Sequence, residues 1–313
     1  MPASRLPLTQ PPSLKPRFLP LVGTLGRLLR RLGLRRPPPG RCILNSFPKC
    51  GRTWLRYMLG VYLLGLMGQD ATAQPVNKVL LANGRKAAPG ANRIRFVHLD
   101  APHWKKPGEL SPAPVHSRIG AVIYLTRDPR DVVVSFYHEQ TKRLLPDEVR
   151  RLRGRAALQP YRDRIAPFAG GIDEFARREF GAFPTILRYN EIWQGFAAAH
   201  PRGLVLRYEQ LHADAAGTLA RMLAHTNHPV REDLLARAVE LGSFENMHKA
   251  EAVNREGFML APGNPDDPSS YKTRRGAVGG FRDELAPETI AWANELMRSS
   301  TVDYSLYLGE ESR

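Results

Sequence analysis

The sequence predicts an α/β fold of three layers, a central parallel sheet with helices on both faces. Three observations predict it. Short apolar runs of strand length alternate with longer helical patterns. The central runs are continuously apolar, as strands buried on both faces must be. The loop after the first run has the composition of an anion-binding strand-to-helix turn.

The elements follow in order. Cys42–Phe47 reads as a short buried strand, and Trp54–Met67 as a nearly all-apolar helix. Arg93–His98 alternates like a strand. Ala121–Thr126 is a continuous apolar run. Asp128 and Pro129 then supply an N-cap and a proline at the first helical position, and that helix runs through His138. Leu204–Tyr208 is the fourth strand. Helical patterns fill 171–199, 214–226 and 231–241, and no internal repeat is present.

The chain of 313 residues divides into an extension, 1–40, and one domain, 41–313. The extension is rich in Pro, Leu and Arg. Within it Leu21, Leu25, Leu28, Leu29 and Leu32 recur at helical spacing, with Arg27, Arg30, Arg31 and Arg35 on the other side. Such a helix either packs on the domain or lies on an anionic membrane surface. Near the other end, about 254–282 is a long Gly- and Pro-rich stretch, the kind of segment that forms a lid or binding loop.

The formal net charge is +16, which favours an anionic partner without choosing among nucleotide, nucleic acid, lipid and glycan. No Asp or Glu precedes Asp70. Two cysteines, Cys42 and Cys50, are too few for a disulfide framework. With no apolar run of transmembrane length and no secretory leader pattern, the expectation is a cytoplasmic protein, with peripheral membrane contact through the extension as an option.

The loop after the first strand reads Ser46-Phe47-Pro48-Lys49-Cys50-Gly51-Arg52-Thr53-Trp54. It is not a Walker A loop, in which Lys follows the glycine. It still offers the parts of an anion cradle: a close-approach glycine, a lysine, a hydroxyl and the N–H groups of a helix start. Taken alone it is equally an ordinary turn with a surface lysine. The run 121–126 ends in Arg127, where open α/β sheets bind ligands, and Ser135 lies two turns on. The alternative is that Arg127 and Arg130 pair with Asp128 and Asp131. A third basic element surrounds Gly276: Lys272, Arg274, Arg275 and Arg282. Three anion sites imply a ligand with more than one anionic group.

In this order the three elements resemble the PAPS-dependent sulfotransferases, whose donor is 3′-phosphoadenosine-5′-phosphosulfate. SFPKCGRTW is similar to the family's 5′-phosphosulfate loop. VIYLTRDPRDVVVSFYH is similar to its 3′-phosphate strand and helix, and RRGAVGGFRDEL to its C-terminal glycine motif. SFENM (243–247) and RYEQL (207–211) are weaker matches near the adenine. The resemblance spans about 41–290.

It implies that Lys49, Cys50, Gly51, Arg52, Thr53 and Trp54 form the 5′ loop. It implies that Arg127 and Ser135 hold the 3′-phosphate, with Arg274, Arg275 and Gly276 closing over it. Trp54 and Phe244 would flank the adenine, with Tyr208 nearby; each is otherwise plain core packing. It implies His98 as the general base, with His103 the competing candidate, and Lys49 as the stabiliser of charge on the leaving oxygen. It implies no metal. Two positions depart from the family: Cys50 stands where Ser is usual, and Phe96 where a lysine precedes the catalytic histidine by two. Arg52, Lys105 and Lys106 are the candidates to replace that charge.

The expected reaction is therefore sulfuryl transfer to a hydroxyl or amine. A P-loop kinase or NTPase is the alternative, but the Walker A order is missing. A non-catalytic nucleic-acid binder fits the charge but lacks aromatic–basic interleaving and zinc spacing, so no nucleic-acid partner is expected. The acceptor segments, about 70–92, 99–116 and 140–170, carry basic residues (Lys78, Arg85, Lys86, Lys105, Lys106, Arg143, Arg150, Arg151). These lean toward an acidic or carbohydrate acceptor, and the extension adds a glycolipid to the small-molecule possibilities.

Overall fold

The computed structural model describes residues 42–73, 75–76, 94–111, 119–254 and 256–309. The extension 1–40, its basic helical pattern, and Lys78, Arg85 and Lys86 lie outside the described residues. Four strands form one parallel sheet: β1 (Cys42–Asn45), β2 (Ile94–Val97), β3 (Ala121–Thr126) and β4 (Gly203–Arg207). Their order is β2-β1-β3-β4. Cys42 lies opposite Ile94 on one side and Ala121 on the other, and Val122 opposite Gly203. The central strands β1 and β3 are wholly buried, and the outer two partly so. This explains the unbroken apolar runs of β1 and β3.

Eleven α-helices are described: α1 (Arg52–Leu66), α2 (Pro129–Lys142), α3 (Pro146–Arg153), α4 (Ile172–Ala176), α5 (Phe183–Ala199), α6 (Tyr208–Ala213), α7 (Ala215–His225), α8 (Glu232–Leu241), α9 (Phe244–Ala252), α10 (Pro287–Arg298) and α11 (Ser305–Leu308). Helices α1, α7 and α8 pack together as one layer, and α2, α4 and α5 as the other. Strand order reverses between β1 and β3, since β2 follows β1 to one side and β3 returns to the other. A crevice therefore opens at the carboxyl ends of these two strands. The loop at Lys49 and the turn at Arg127 flank it.

The cap expected after β3 is present: the Asp128 carboxylate accepts from the Arg130 N–H at 2.9 Å, with Pro129 at the first helical position. The single helical pattern over 171–199 is two helices. The break has a local cause. Gly181 has φ 63°, and a Cβ there would lie 2.2 Å from the His103 carbonyl oxygen. Only glycine permits that approach.

The long segment 254–282 contains 3₁₀ turns at Gly257–Met259, Pro268–Ser270 and Gly280–Asp283. It is pinned by buried carboxylates. Glu251, fully buried, accepts from Lys272 N (2.7 Å), Thr273 N (2.9 Å) and Thr273 Oγ1 (2.8 Å). Asp131 on α2 accepts from Gly279 N (2.7 Å) and Phe281 N (3.0 Å). Arg143 reaches Ala261 O at 2.8 Å.

Replacing Glu251 by Ala strands three donors and an arginine, and leaving buried polar groups unmet is expensive. We expect Glu251→Ala to lower the unfolding free energy by roughly 3 kcal/mol or more, and Glu251→Gln by about 1–2 kcal/mol. Urea unfolding of both variants checks this; unchanged midpoints would show that Glu251 is not the anchor.

Candidate active site

The loop after β1 turns sharply because two residues adopt left-handed backbone, Lys49 at φ 74° and Gly51 at φ 87°. A Cβ on Gly51 would sit 2.5 Å from the Tyr208 ring. Glycine there satisfies both the torsion and the close approach. Phe47 anchors the entry, packing edge-on against Phe136 and Tyr189 in the core. Helix α1 then starts at Arg52, with its first bond from Leu55 N to Gly51 O at 3.1 Å. The N–H groups of Arg52, Thr53 and Trp54 accordingly have no partner one turn back, and the positive helix end faces the crevice.

A cavity of about 570 Å³ fills that crevice. Lys49, Gly51, Arg52, Thr53, Trp54, His98, Arg127, Ser135, Tyr208, Phe244, Arg274, Arg275 and Gly276 all line it, as does His103. Cys50 does not. Its side chain is 1% exposed and belongs to the hydrophobic core, and burial pushes the thiol up to about 12. In a turn where residues 49 and 51 face the crevice, the side chain between them points inward. The Cys50 side chain packs the core, so of this residue only the backbone is left to face a ligand in the loop.

Lys49 Nζ lies 2.9 Å from Glu139 Oε2 on α2. Arg143 Nε meets the same oxygen at 3.0 Å. Burial raises the Glu139 carboxyl, but Lys49 and Arg143 outweigh it and hold the group down at about 2. Arg127 spans two loops, donating to Lys49 O at 3.3 Å and Ala277 O at 2.9 Å, with its guanidinium 4.2 Å from the Tyr208 ring centre. Its nearest carboxylate oxygen, on Asp131, is 3.6 Å away. Arg130, in contrast, is 3% exposed and pairs with Asp128 at 2.7 Å, so it is structural. The Ser135 hydroxyl makes no hydrogen bond among the described residues.

Arg274 pairs with Glu284 at 2.7 Å, and Arg275 pairs with Asp283 while exposed. A Cβ on Gly276 would lie 2.6 Å from the Phe244 ring. Trp54 Nε1 donates to Gly242 O at 2.7 Å, and its ring meets Tyr208 edge-on at 5.8 Å. Trp54 and Tyr208 thus form one aromatic wall, and Phe244, 46% exposed, is turned outward from the core.

His98 follows β2. Its Nδ1 donates to the Ser46 carbonyl at 2.7 Å, and Nε2 makes no hydrogen bond among the described residues. The backbone bond selects the tautomer whose Nε2 lone pair is free. Burial, then the Arg52 charge, holds the imidazole well below its ordinary value, so it is neutral at pH 7. A polar network fixes the strand end beside it. Asn45 donates to the Tyr189 hydroxyl at 2.8 Å, Tyr189 donates to Leu99 O at 2.9 Å, and Leu99 N donates to Asn45 Oδ1 at 3.0 Å.

His103 lies against Trp104 and Phe136, with Nδ1 buried and unpartnered. Trp104, Phe136, Gln140, Leu144 and Leu152 line the cavity beside it. Glu139 and Gln140 were not readable as site residues, although Glu139 lies one helical turn from Ser135, a spacing that puts both on one face. The basic residues expected to face an acceptor are each neutralised: Lys105 by Asp100, Lys106 by Glu179, Arg143 by Glu139, Arg150 by Asp147 and Arg151 by Glu148.

A cation-rich crevice at the switch point of a parallel sheet, closed by a glycine loop and holding a neutral imidazole, defines a group-transfer enzyme of the P-loop-like α/β class. Residues 39–305 match the family model described as Sulfotransferase domain. The chain belongs to the PAPS-dependent sulfotransferase family, and its reaction class is sulfuryl transfer. It is 24% identical to cytosolic sulfotransferase 3 of Arabidopsis thaliana over 278 residues, 86% of this chain and 79% of the relative. It is 22% identical to flavonol 3-sulfotransferase of Flaveria bidentis, covering 83% and 81%. Among solved structures it is similar to mouse sulfotransferase SULT7A1 complexed with PAP, at TM-score 0.56 and 18% identity, covering 88% of this chain and 91% of that one. Retinol dehydratase in complex with retinol and PAP aligns at TM-score 0.56 and 17% identity, covering 86% and 84%.

The buried histidines make stability pH-dependent. Burial brings His103 from the ordinary 6.5 down to about 4, despite the opposing Glu139 charge. Between those values the unfolded chain takes a proton that the folded chain refuses. Stability is intact above pH 6.5 and falls as pH drops toward 4. From pH 7 to 5 this group costs about 2 kcal/mol. We expect His103→Asn to remove that part of the pH dependence in urea unfolding at the two pH values; equal slopes would show that His103 protonates freely when folded.

Proposed function

We propose that this sulfotransferase moves the sulfuryl group of PAPS to a hydroxyl of a small, uncharged acceptor, with His98 as general base and Lys49 on the leaving side. The observation that carries this reading is the convergence of a free His98 Nε2, Lys49, Arg127 and Ser135 on one cavity. The acceptor oxygen attacks sulfur, its proton passes to His98 Nε2, and the sulfur–oxygen bond to the nucleotide breaks. Lys49 meets the negative charge that gathers on the departing oxygen. Arg127 and Ser135 face the position of the 3′-phosphate, with Arg274 and Arg275 beside Gly276 over it. The Trp54–Tyr208 wall and Phe244 suit the adenine.

The cavity beside His103 supports an acceptor without charge. Its walls include Trp104, Phe136, Leu144 and Leu152, and Arg143, which also lines it, is paired with Glu139. Gln140 Oε1, buried and without a partner, suits a second hydroxyl of the acceptor. Relatives named for flavonols, and a neighbour complexed with retinol, act in the same direction. The relatives' names support a cytoplasmic setting, and no helix of the described residues is long and apolar enough to cross a membrane.

Thermal shift tests the donor. Adenosine 3′,5′-bisphosphate at a hundred times its Kd adds about 2.7 kcal/mol, and we expect a rise of roughly 2 °C or more with no rise for ATP and magnesium. A rise with ATP alone would overturn the reading in favour of an NTPase. Lys49→Ala and His98→Ala should each lower kcat about 10²-fold or more while the bisphosphate still shifts the melt. Loss of turnover in His103→Ala with His98→Ala active would move the base to His103.

A further inference from the structure

The sheet stops one residue short of His98. Asn45 and Val97 are the last paired residues of β1 and β2, so Ser46 and His98 lie just beyond the backbone ladder. β2 is an outer strand whose one neighbour among the described residues is β1. The turn that follows is strained: Asp100 and Ala101, neither of them glycine, have φ 67° and 47°. Such residues persist in left-handed backbone only where their surroundings hold them there. A strand end that leaves its ladder and enters a turn of this kind is prone to fray. Yet His98 keeps its Nδ1 at 2.7 Å from the Ser46 carbonyl oxygen.

Two side chains supply what the ladder lacks. Leu99 N donates to Asn45 Oδ1 at 3.0 Å, Asn45 Nδ2 donates to the Tyr189 hydroxyl at 2.8 Å, and that hydroxyl donates to Leu99 O at 2.9 Å. The three bonds close a ring. It grips the residue before Ser46 and the residue after His98, so both partners of the Nδ1–carbonyl bond hang from it. Asn45 and Tyr189 are both buried, where a fully satisfied polar network is rigid and a broken one is costly. Tyr189 stands on α5, and its ring packs against Phe47 and Trp193, with ring centres at 5.8 and 6.0 Å. The helical layer behind the sheet thus fixes the clamp. Neither Asn45 nor Tyr189 lines the cavity.

We infer that Tyr189 and Asn45 are positioning residues for His98, holding it in the tautomer whose Nδ1 carries the proton and whose Nε2 keeps its lone pair; the catalytic meaning of this rests on the proposal above that His98 is the base. A carbonyl selects a tautomer only while the imidazole stays within hydrogen-bond reach. The bond weakens beyond about 3.2 Å, so a small displacement at Leu99 releases it. An imidazole that moves its proton to Nε2 offers no lone pair to the acceptor hydroxyl. Tyr189 and Asn45 touch no reacting atom and act through the histidine alone.

Tyr189→Phe deletes the hydroxyl and keeps the ring. Tyr124→Phe is the matched control, since it also deletes a buried tyrosine hydroxyl bonded to α5, that of Tyr124 to Asn190 Oδ1 at 2.6 Å, a bond that involves neither Asn45 nor Leu99. The full chain carries isotope-labelled histidine, and long-range proton–nitrogen spectra report which ring nitrogen bears the proton. The His98 signal is assigned by its loss in His98→Ala. In wild type and in Tyr124→Phe we expect the single Nδ1-protonated tautomer, and in Tyr189→Phe a mixture with the Nε2-protonated form. The Kd of adenosine 3′,5′-bisphosphate should change less than about twofold, because the clamp lies outside the cavity. With PAPS and phenol, an uncharged aromatic alcohol, kcat should fall about tenfold or more in Tyr189→Phe and not in Tyr124→Phe. An unchanged tautomer in Tyr189→Phe, an equal change in Tyr124→Phe, or a wild type protonated at Nε2 would each overturn the assignment, whether or not phenol is turned over. Should Tyr189→Phe fail to fold, Asn45→Ser, too short to reach Leu99 N and the Tyr189 hydroxyl together, carries the same comparison. A mixed tautomer in Tyr189→Phe beside full turnover in His98→Ala would leave the clamp standing and sink the base instead.

Discussion

Four carboxylates, two of them buried, organise the cation-rich end of this sheet. Asp131, Glu139, Glu251 and Glu284 each meet an arginine or a lysine of the crevice. Without them Lys49, Arg127, Arg143 and Arg274 would converge as bare charges, and mutual repulsion together with desolvation would open the site. Two of these carboxylates also accept backbone N–H groups from the segment after α9, which fastens that segment over the crevice. Charge balance and loop placement are thus one interaction. Among the described residues Arg52, which lines the same cavity, has no carboxylate partner.

A second constraint is the strand order. Because β1 lies between β2 and β3, the loop after β1, the end of β2 and the turn after β3 meet at one crevice. This brings Lys49, His98 and Arg127 together although they are far apart in the chain. The histidine gains its chemistry from the same arrangement. The carbonyl of Ser46, at the end of β1, takes the Nδ1 proton of a histidine at the end of β2. The tautomer is set by backbone geometry. Burial, with the neighbouring cations second, then keeps the ring neutral, which preserves a base at pH 7 while lowering its strength.

Local signals carried much of the fold. The apolar character of β1 and β3 marked them as buried strands, and Asp128-Pro129 marked the start of α2. Where a local pattern met a tertiary demand, reading it alone failed. The pattern over 171–199 looks like one helix, yet Gly181 must pass close to the His103 carbonyl, and the helix breaks there. Cys50 occupies a motif position, yet the turn sends its side chain into the core. Lys105, Lys106, Arg143, Arg150 and Arg151 looked available to an acidic acceptor, yet each of these five has a carboxylate partner supplied by the fold.

By itself the sequence determined the α/β class, the helix cap after β3 and the family, because each rests on residues close together in the chain. The tertiary structure alone decided which charges are paired, which nitrogen of His98 is left without a hydrogen bond among the described residues, and that Glu139 and Gln140 line the cavity. These depend on distances between residues far apart in sequence, such as Lys49 and Glu139 or Arg127 and Ala277. The free energy of a buried charge is set by its nearest partners in space, and only folding brings those partners within reach.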